Sequence, residues 1–168
     1  MLAVHAAAFG GRKGEEIAHL VNDLLIDPTA LPLLSLIATE KNNIIGHIIF
    51  SKAKITNPEL AVSSVILAPL AVHPDDQCRG IGGQLIKSGL MRLSKAGVEL
   101  VFVLGHPMYY PKHGFCVAGK HGFDAPYPIP VEHADAWIVQ ELRSGVIGSV
   151  RGRVQCSDVL NQPQHWRE

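Results

Sequence analysis

The chain has 168 residues, the length of one ordinary domain, with 47% hydrophobic and 18% charged residues. That much apolar material can build a buried core, and it excludes an intrinsically disordered chain. Lysine plus arginine and aspartate plus glutamate are both 15, so the formal net charge is zero, and no overall field draws the chain to nucleic acid or to an anionic membrane.

Three cysteines, Cys78, Cys116 and Cys156, lie far apart and form no C-x-x-C pair, which argues against a zinc ribbon or a redox motif. The apolar start has no basic n-region, and the odd cysteine count fits a reducing cytoplasm. The longest uncharged stretches, 60–72 and 100–111, are shorter than the about 20 residues that a membrane helix needs. Nine histidines show no H-x-x-x-H or H-E-x-x-H spacing, so no metal is expected.

In chain order, residues 15–26 repeat apolar side chains at helical spacing, with Ile17, Leu20, Val21, Leu24 and Leu25 on one face and Pro28 beyond it. Residues 33–39 form an apolar strand. Lys41, Asn42 and Asn43 make a hairpin turn, because asparagine tolerates positive φ. An isoleucine-rich strand returns over 44–55. Residues 62–72 are a third strand with Pro69 inside it; proline cannot donate to a central ladder, so a bulge or an edge is expected there. A helix over 80–96 buries Ile81, Leu85, Ile86, Leu90 and Leu93 and ends at Gly97. Then come a short buried strand (99–104), a helical turn or two (107–113), strands at 115–118 and 134–142, a weaker strand at 150–156, and a loosely held end (161–168). The unit running from 62 to 104 is a β-α-β crossover, so its two strands are parallel, whereas the first hairpin is antiparallel. The expected architecture is a mixed α/β (α+β) sheet flanked by helices, in a single domain spanning 1–168.

Between the third strand and the following helix stand Gln77, Cys78, Arg79, Gly80, Ile81, Gly82 and Gly83. The first turn of a helix leaves its N–H groups unpaired and favours negative charge. Glycine lets a phosphate approach the backbone, and Arg79 adds a forked donor suited to phosphate oxygens. No Gly-Lys-Ser/Thr follows, so the turn is not a Walker A loop. Leu85 occupies the third position of a dinucleotide glycine fingerprint, so that motif is excluded too. A tight turn that needs glycine only for packing accounts for the same residues.

Leu70-Ala71-Val72-His73-Pro74 followed by Gln77-x-x-Gly80-x-Gly82 resembles the cofactor motif of the GNAT (Gcn5-related N-acetyltransferase) superfamily. Tyr110-x-x-x-Gly114-Phe115 resembles that family's tyrosine segment, and Val103-Leu104-Gly105-His106-Pro107-Met108-Tyr109-Tyr110 resembles its YhbS-like branch. The resemblance runs from about residue 35 to 142. It implies acetyl-coenzyme A as the acyl donor, a mixed, mostly antiparallel sheet, and a splay between the family's fourth and fifth strands. Pantetheine would pair with the backbone of Leu70, Ala71 and Val72, and the pyrophosphate would rest on the amides of residues 77–83. Tyr110 would act as general acid or stabilise the leaving thiolate. A phenol near pKa ~10 and a thiol near ~8.5 make full proton transfer uphill by roughly 2 kcal/mol.

The chain departs from the family in three places. Cys78 stands where glycine is common; its amide can still donate, and its thiol would lie beside an arginine and a helix N-terminus. The third strand carries no acidic residue, so the general base is unassigned among Glu40, His47, Glu59 and His106. The family opens with a strand and a helix, whereas residues 1–9 here correspond to the end of that helix. The first strand is therefore missing, lies upstream, or is replaced by a second copy of the chain in a homodimer. Three functions compete: N-acetyl transfer to a small-molecule or protein amine, a non-catalytic acyl-CoA sensor, and a nucleotide-phosphate-binding protein of another class.

Overall fold

The computed structural model describes residues 1–56 and 61–167. The chain begins with two helices, α1 (Leu2–Phe9) and α2 (Gly11–Ile26), broken at Gly10, where φ is +69°. The face of α2 read from the sequence is the one that is covered: Val21 and Leu24 are fully buried, with Ile17, Leu20 and Leu25 packed around them.

The first hairpin is β1 (Leu34–Glu40) and β2 (Asn43–Ile55), paired antiparallel. Lys41 and Asn42 both take positive φ, +50° and +66°, as a tight hairpin turn requires. β3 (Ser64–Val72) follows, then α3 (Ile81–Lys95) and β4 (Leu100–Leu104). All five apolar residues assigned to the inner side of α3 pack there, four of them buried and Leu90 partly so. The remaining strands are short: β5 (Cys116–Val117), β6 (Phe123–Asp124), β7 (Trp137–Glu141) and β8 (Gly152–Gln155). The strand expected from residue 134 begins only at Trp137, because Val131–Ala136 is a 3-10 helix.

One mixed sheet runs in the order β5-β7-β4-β3-β2-β8-β6, with β1 beside β2. Five of the strand pairs are antiparallel, while β3–β4 and β6–β8 are parallel. Two cores lie on its faces. α2 and the C-terminal segment cover Ile49, Ile66 and Phe102; α3 covers Ile48, Phe50 and Leu67.

The end of the chain corrects its sequence reading. Trp166 is 2% exposed, its indole N–H donates to the Leu160 carbonyl at 2.9 Å, and its ring meets Trp137 edge-on at 5.5 Å. Trp137 in turn stacks on Phe102. Residues 163–166 are thus docked by an aromatic anchor, not loosely held.

Candidate active site

β3 is bulged where Pro69 predicted it. Leu67 faces Phe50 and Leu70 faces Ile48, so two residues of β3, Ala68 and Pro69, stand against the single residue Ile49. The disturbance has a consequence on the other edge of β3. Pairing with β4 covers only Ser64–Leu100, Val65–Val101 and Ile66–Phe102. Beyond these, β3 leans on β2 and β4 leans on β7, where Val103 and Leu104 face Ile138 and Trp137. The two parallel strands therefore splay, and among the described residues the facing edges of β3 from Leu67 and of β4 from Val103 have no strand partner.

A cavity of about 1080 Å³ occupies this splay, the upper end of the size that holds a drug-sized ligand. Its walls include Leu67, Pro69 and Leu70 on one strand, Val103 and Leu104 on the other, and both Tyr109 and Tyr110. It continues past the sheet to α2, where Lys13, Glu16, Ile17 and Leu20 line it, and to the C-terminal segment, where His165 and Trp166 do.

The loop of residues 77–83 leaves β3 beyond the splay and adjoins it at Gly82, which faces Leu70, Val72 and the Tyr109 hydroxyl. Gln77 anchors it by donating from Nε2 to the Val72 carbonyl at 3.1 Å. Cys78 takes φ +63° and Gly80 φ +79°, so the chain turns back into α3. The first backbone bond of α3 is Gln84 N–H to the Gly80 carbonyl, 3.0 Å. Among the described residues no backbone acceptor reaches the amides of 77–83, the donor set a pyrophosphate needs. The positive φ of Cys78 explains why glycine suits that position; here a cysteine bears the strain. Its thiol is exposed.

Arg79 corrects the sequence reading. Its fork does not stand free for phosphate. Nη2 and Nη1 lie 2.8 and 3.2 Å from the two carboxylate oxygens of Glu40, and Nη1 lies 2.7 Å from Asp76 Oδ1. The guanidinium holds the Glu40 carboxyl below its usual range, first by hydrogen bond and then by charge. This pair also removes Glu40 from the candidates for a base.

The two tyrosines divide their duties. Tyr109 reaches toward α3: a Cβ on Gly82 would lie 2.6 Å from its hydroxyl. Gly82 is thus glycine because Tyr109 occupies the space. Tyr110 packs against Gly105, just after β4, where a Cβ would strike its ring, and meets Phe115 edge-on at 5.7 Å. It is 8% exposed, and burial, with the neighbouring Tyr109 second, pushes its phenol well above the usual range.

The other proposed bases separate by position. His47 is fully buried on the α1 side of β2. Its Nδ1 is 2.8 Å from His5 Nε2 and its Nε2 is 2.6 Å from Ser35 Oγ, so it is locked in a structural chain away from the splay. Burial lowers both rings to about 4. His106 lines the cavity, but its Nδ1 accepts the Met108 amide at 3.2 Å. Glu59 lies outside the described residues. Sequence reasoning missed Tyr109 as a loop contact, and it missed Glu16, His133 and His165 on the cavity wall. A signal existed for the last of these, since a tryptophan near a chain end is a docking residue and carries its neighbour with it. Among the described residues no three His, Cys, Asp or Glu side chains converge as a metal site, and no helix is long and apolar enough to cross a membrane.

Comparison with known proteins bears on this geometry. Residues 33–117 match the Acetyltransferase (GNAT) domain family. The uncharacterized N-acetyltransferase YjhQ of Escherichia coli (strain K12) is 44% identical over 157 residues, covering 92% of this chain and 84% of that protein. The uncharacterized N-acetyltransferase YhbS of the same strain is 31% identical over 146 residues, covering 86% and 83%. The crystal structure of E. coli YhbS in complex with CoA matches with a TM-score of 0.83 at 28% identity, covering 95% of this chain and 84% of that one. A GNAT family acetyltransferase from Brucella melitensis, solved with acetyl-CoA, matches at 0.72 and 27% identity, covering 95% and 88%. With the splayed parallel pair and the glycine loop in the same places that the motifs indicated, the chain belongs to the GNAT acetyltransferase family.

Proposed function

We propose that residues 1–168 form one catalytic domain that moves an acetyl group from acetyl-CoA to an amine in the cytoplasm. The observation that carries this reading is the meeting of three things at one splay: the glycine loop that adjoins it, an unpaired strand edge, and the buried ring of Tyr110 on its wall. The residues present suit coenzyme A. Amides of Gln77, Cys78, Arg79, Gly80, Ile81, Gly82 and Gly83 would hold the pyrophosphate, and the backbone of Leu70, Ala71 and Val72 would pair with pantetheine. Acetyl-CoA supplies an activated thioester carbonyl when bound.

The chain's own residues do the rest. The apolar walls of the splay exclude water from the reacting carbonyl. Tyr110 keeps its proton, because burial disfavours the phenolate. It therefore serves by donating a hydrogen bond to the departing sulfur, and full proton transfer is even less favourable than for an exposed phenol. The cavity extends beyond the sheet to α2, room for a second substrate that an acyl-CoA sensor does not need.

Thioester turnover with a panel of amines tests the reading, with isothermal titration alongside. Acetyl-CoA should bind and at least one amine should release CoA thiol. Tight CoA binding with no product from any amine would favour the sensor, and binding of ATP or NAD without CoA would defeat both.

A further inference from the structure

We propose that His165 is the general base that takes the proton from the attacking amine, an inference that rests on the acetyl-transfer reading above. Its position follows from its neighbour. Trp166 is anchored on Trp137, and Trp137 is paired with Leu104 at the end of β4, where the splay opens. The anchor holds residue 165 on the cavity wall, on the face of the sheet opposite α3 and its glycine loop. That is the side from which a second substrate would meet a thioester threaded through the splay.

The chemistry of the ring suits the task. Burial is the largest effect on His165 and keeps it neutral; a hydrogen bond to Val159 backbone opposes this, and the Lys13 ammonium adds to it. A neutral imidazole keeps one basic lone pair. The charged and titratable groups around the same chamber are Lys13 and Glu16 from α2, His106, Tyr109 and Tyr110 after β4, His133 from the 3-10 helix before β7, and Arg167 beside it. None of the carboxylate or imidazole groups competes well. Glu16 is exposed and paired with Arg12. His133 is exposed. His106 spends its Nδ1 lone pair on the Met108 amide, so its neutral ring carries the proton on Nε2.

In the step, the amine nitrogen forms a C–N bond with the thioester carbonyl carbon while its N–H proton passes to His165. The C–S bond breaks, and its electron pair leaves with the sulfur, which Tyr110 holds by hydrogen bond. His165 then returns its proton to solvent and the thiolate is protonated from solvent, so the products are an amide and CoA thiol.

The test uses the full chain, acetyl-CoA and phenethylamine, a primary amine whose apolar body matches the Leu20 and Trp166 walls. His165→Gln should lower kcat about 100-fold or more and leave the CoA Kd within about twofold, which also shows that the variant is folded. The wild-type kcat/KM should rise with pH through a value below the ordinary ~6.5 of histidine, and that limb should vanish in the variant. Added imidazole should restore part of the rate. A variant rate within about threefold of wild type, or an unchanged acid limb, overturns the proposal.

A second readout does not need turnover. Diethyl pyrocarbonate labelling of His165 should be blocked by a CoA thioether bearing an N-phenethylacetamide group, and much less by CoA itself. Equal labelling with that conjugate bound overturns the proposal even if phenethylamine proves a poor substrate. Failure of acetyl-CoA to bind at all would instead defeat the transferase reading, and the role of His165 with it.

Discussion

Glu40, at the tip of the first hairpin, grips Arg79 of the glycine loop with both carboxylate oxygens, at 2.8 and 3.2 Å. Both side chains are about half exposed, and the residues are 39 apart in sequence, so the contact ties the β1–β2 turn to the mouth of the phosphate cradle. It also neutralises the one arginine of that cradle.

Glu40→Gln should therefore tighten CoA binding by removing one of the two carboxylates that hold Arg79, with Asp76 still 2.7 Å away. An exposed ion pair is weak, so the change should be roughly fivefold or less, and it should shrink with added salt. Calorimetric titration at low and high ionic strength measures it. Weaker binding in the variant would show that Glu40 orders the loop more than it competes for Arg79.

Tyr110→Phe should lower turnover about 10- to 100-fold while leaving the CoA Kd nearly unchanged, since the hydroxyl acts on the departing sulfur and not on the bound nucleotide. The raised phenol also predicts no loss of rate from its ionisation up to pH ~10, the ordinary value. Equal turnover in the variant would remove Tyr110 from the reaction.

Gly82 and Tyr109 should couple. Glycine to alanine stabilises a helix interior by about 1 kcal/mol, and by less in the first turn, where Gly82 sits. With the Tyr109 hydroxyl 2.6 Å from the new methyl, Gly82→Ala should forfeit that gain and weaken CoA binding. In a Tyr109→Phe background the gain should return. Urea unfolding of the four proteins measures the coupling, and additive effects would disprove the contact. Gly82→Glu should abolish CoA binding in either background through bulk and charge.

The buried His5–His47 pair should make the fold acid-sensitive. Both rings ionise near 4 in the folded chain but at 6.5 when unfolded. Below 6.5 the unfolded chain takes up more protons, so stability is full above that pH and falls progressively toward 4. Each ring, ionising near 4 and not at 6.5, contributes about 3 kcal/mol, so the pair should lose on the order of 6 kcal/mol by pH 4. Denaturant unfolding at pH 7 and pH 5 should show most of it. A His5→Phe, His47→Leu double variant should lose far less over the same interval.

Trp166→Ala should cost about 3 kcal/mol or more, as for other buried large aromatics. The loss should appear as a lower urea midpoint, accompanied by faster proteolysis near residue 160. A near-neutral effect would mean that the C-terminal segment is not a closing wall of the cavity.

Much of the architecture was written locally. The apolar stripe of α3, the Asn-rich turn of the hairpin and the proline within β3 each act over a few residues, and each was legible for that reason. The cradle was legible because its glycines and the strand before it are contiguous. What was not legible depends on distant partners. Arg79 looked free because Glu40 is brought to it by a hairpin. The C-terminus looked loose because Trp137, which anchors Trp166, belongs to a strand 29 positions earlier. The chamber wall was invisible because it joins residues 13–20 to residues 165–166.

The sequence by itself determined the acyl-donor side of this protein: strand, bulge, glycine turn and tyrosine stand in one continuous segment, and backbone amides need only local φ and ψ to form a cradle. Only the tertiary structure decided the other side. Which base is neutral, which carboxylate is already paired, and where a second substrate has room depend on burial and on charges from separate elements, and both exist only once the two ends of the chain have packed across the sheet.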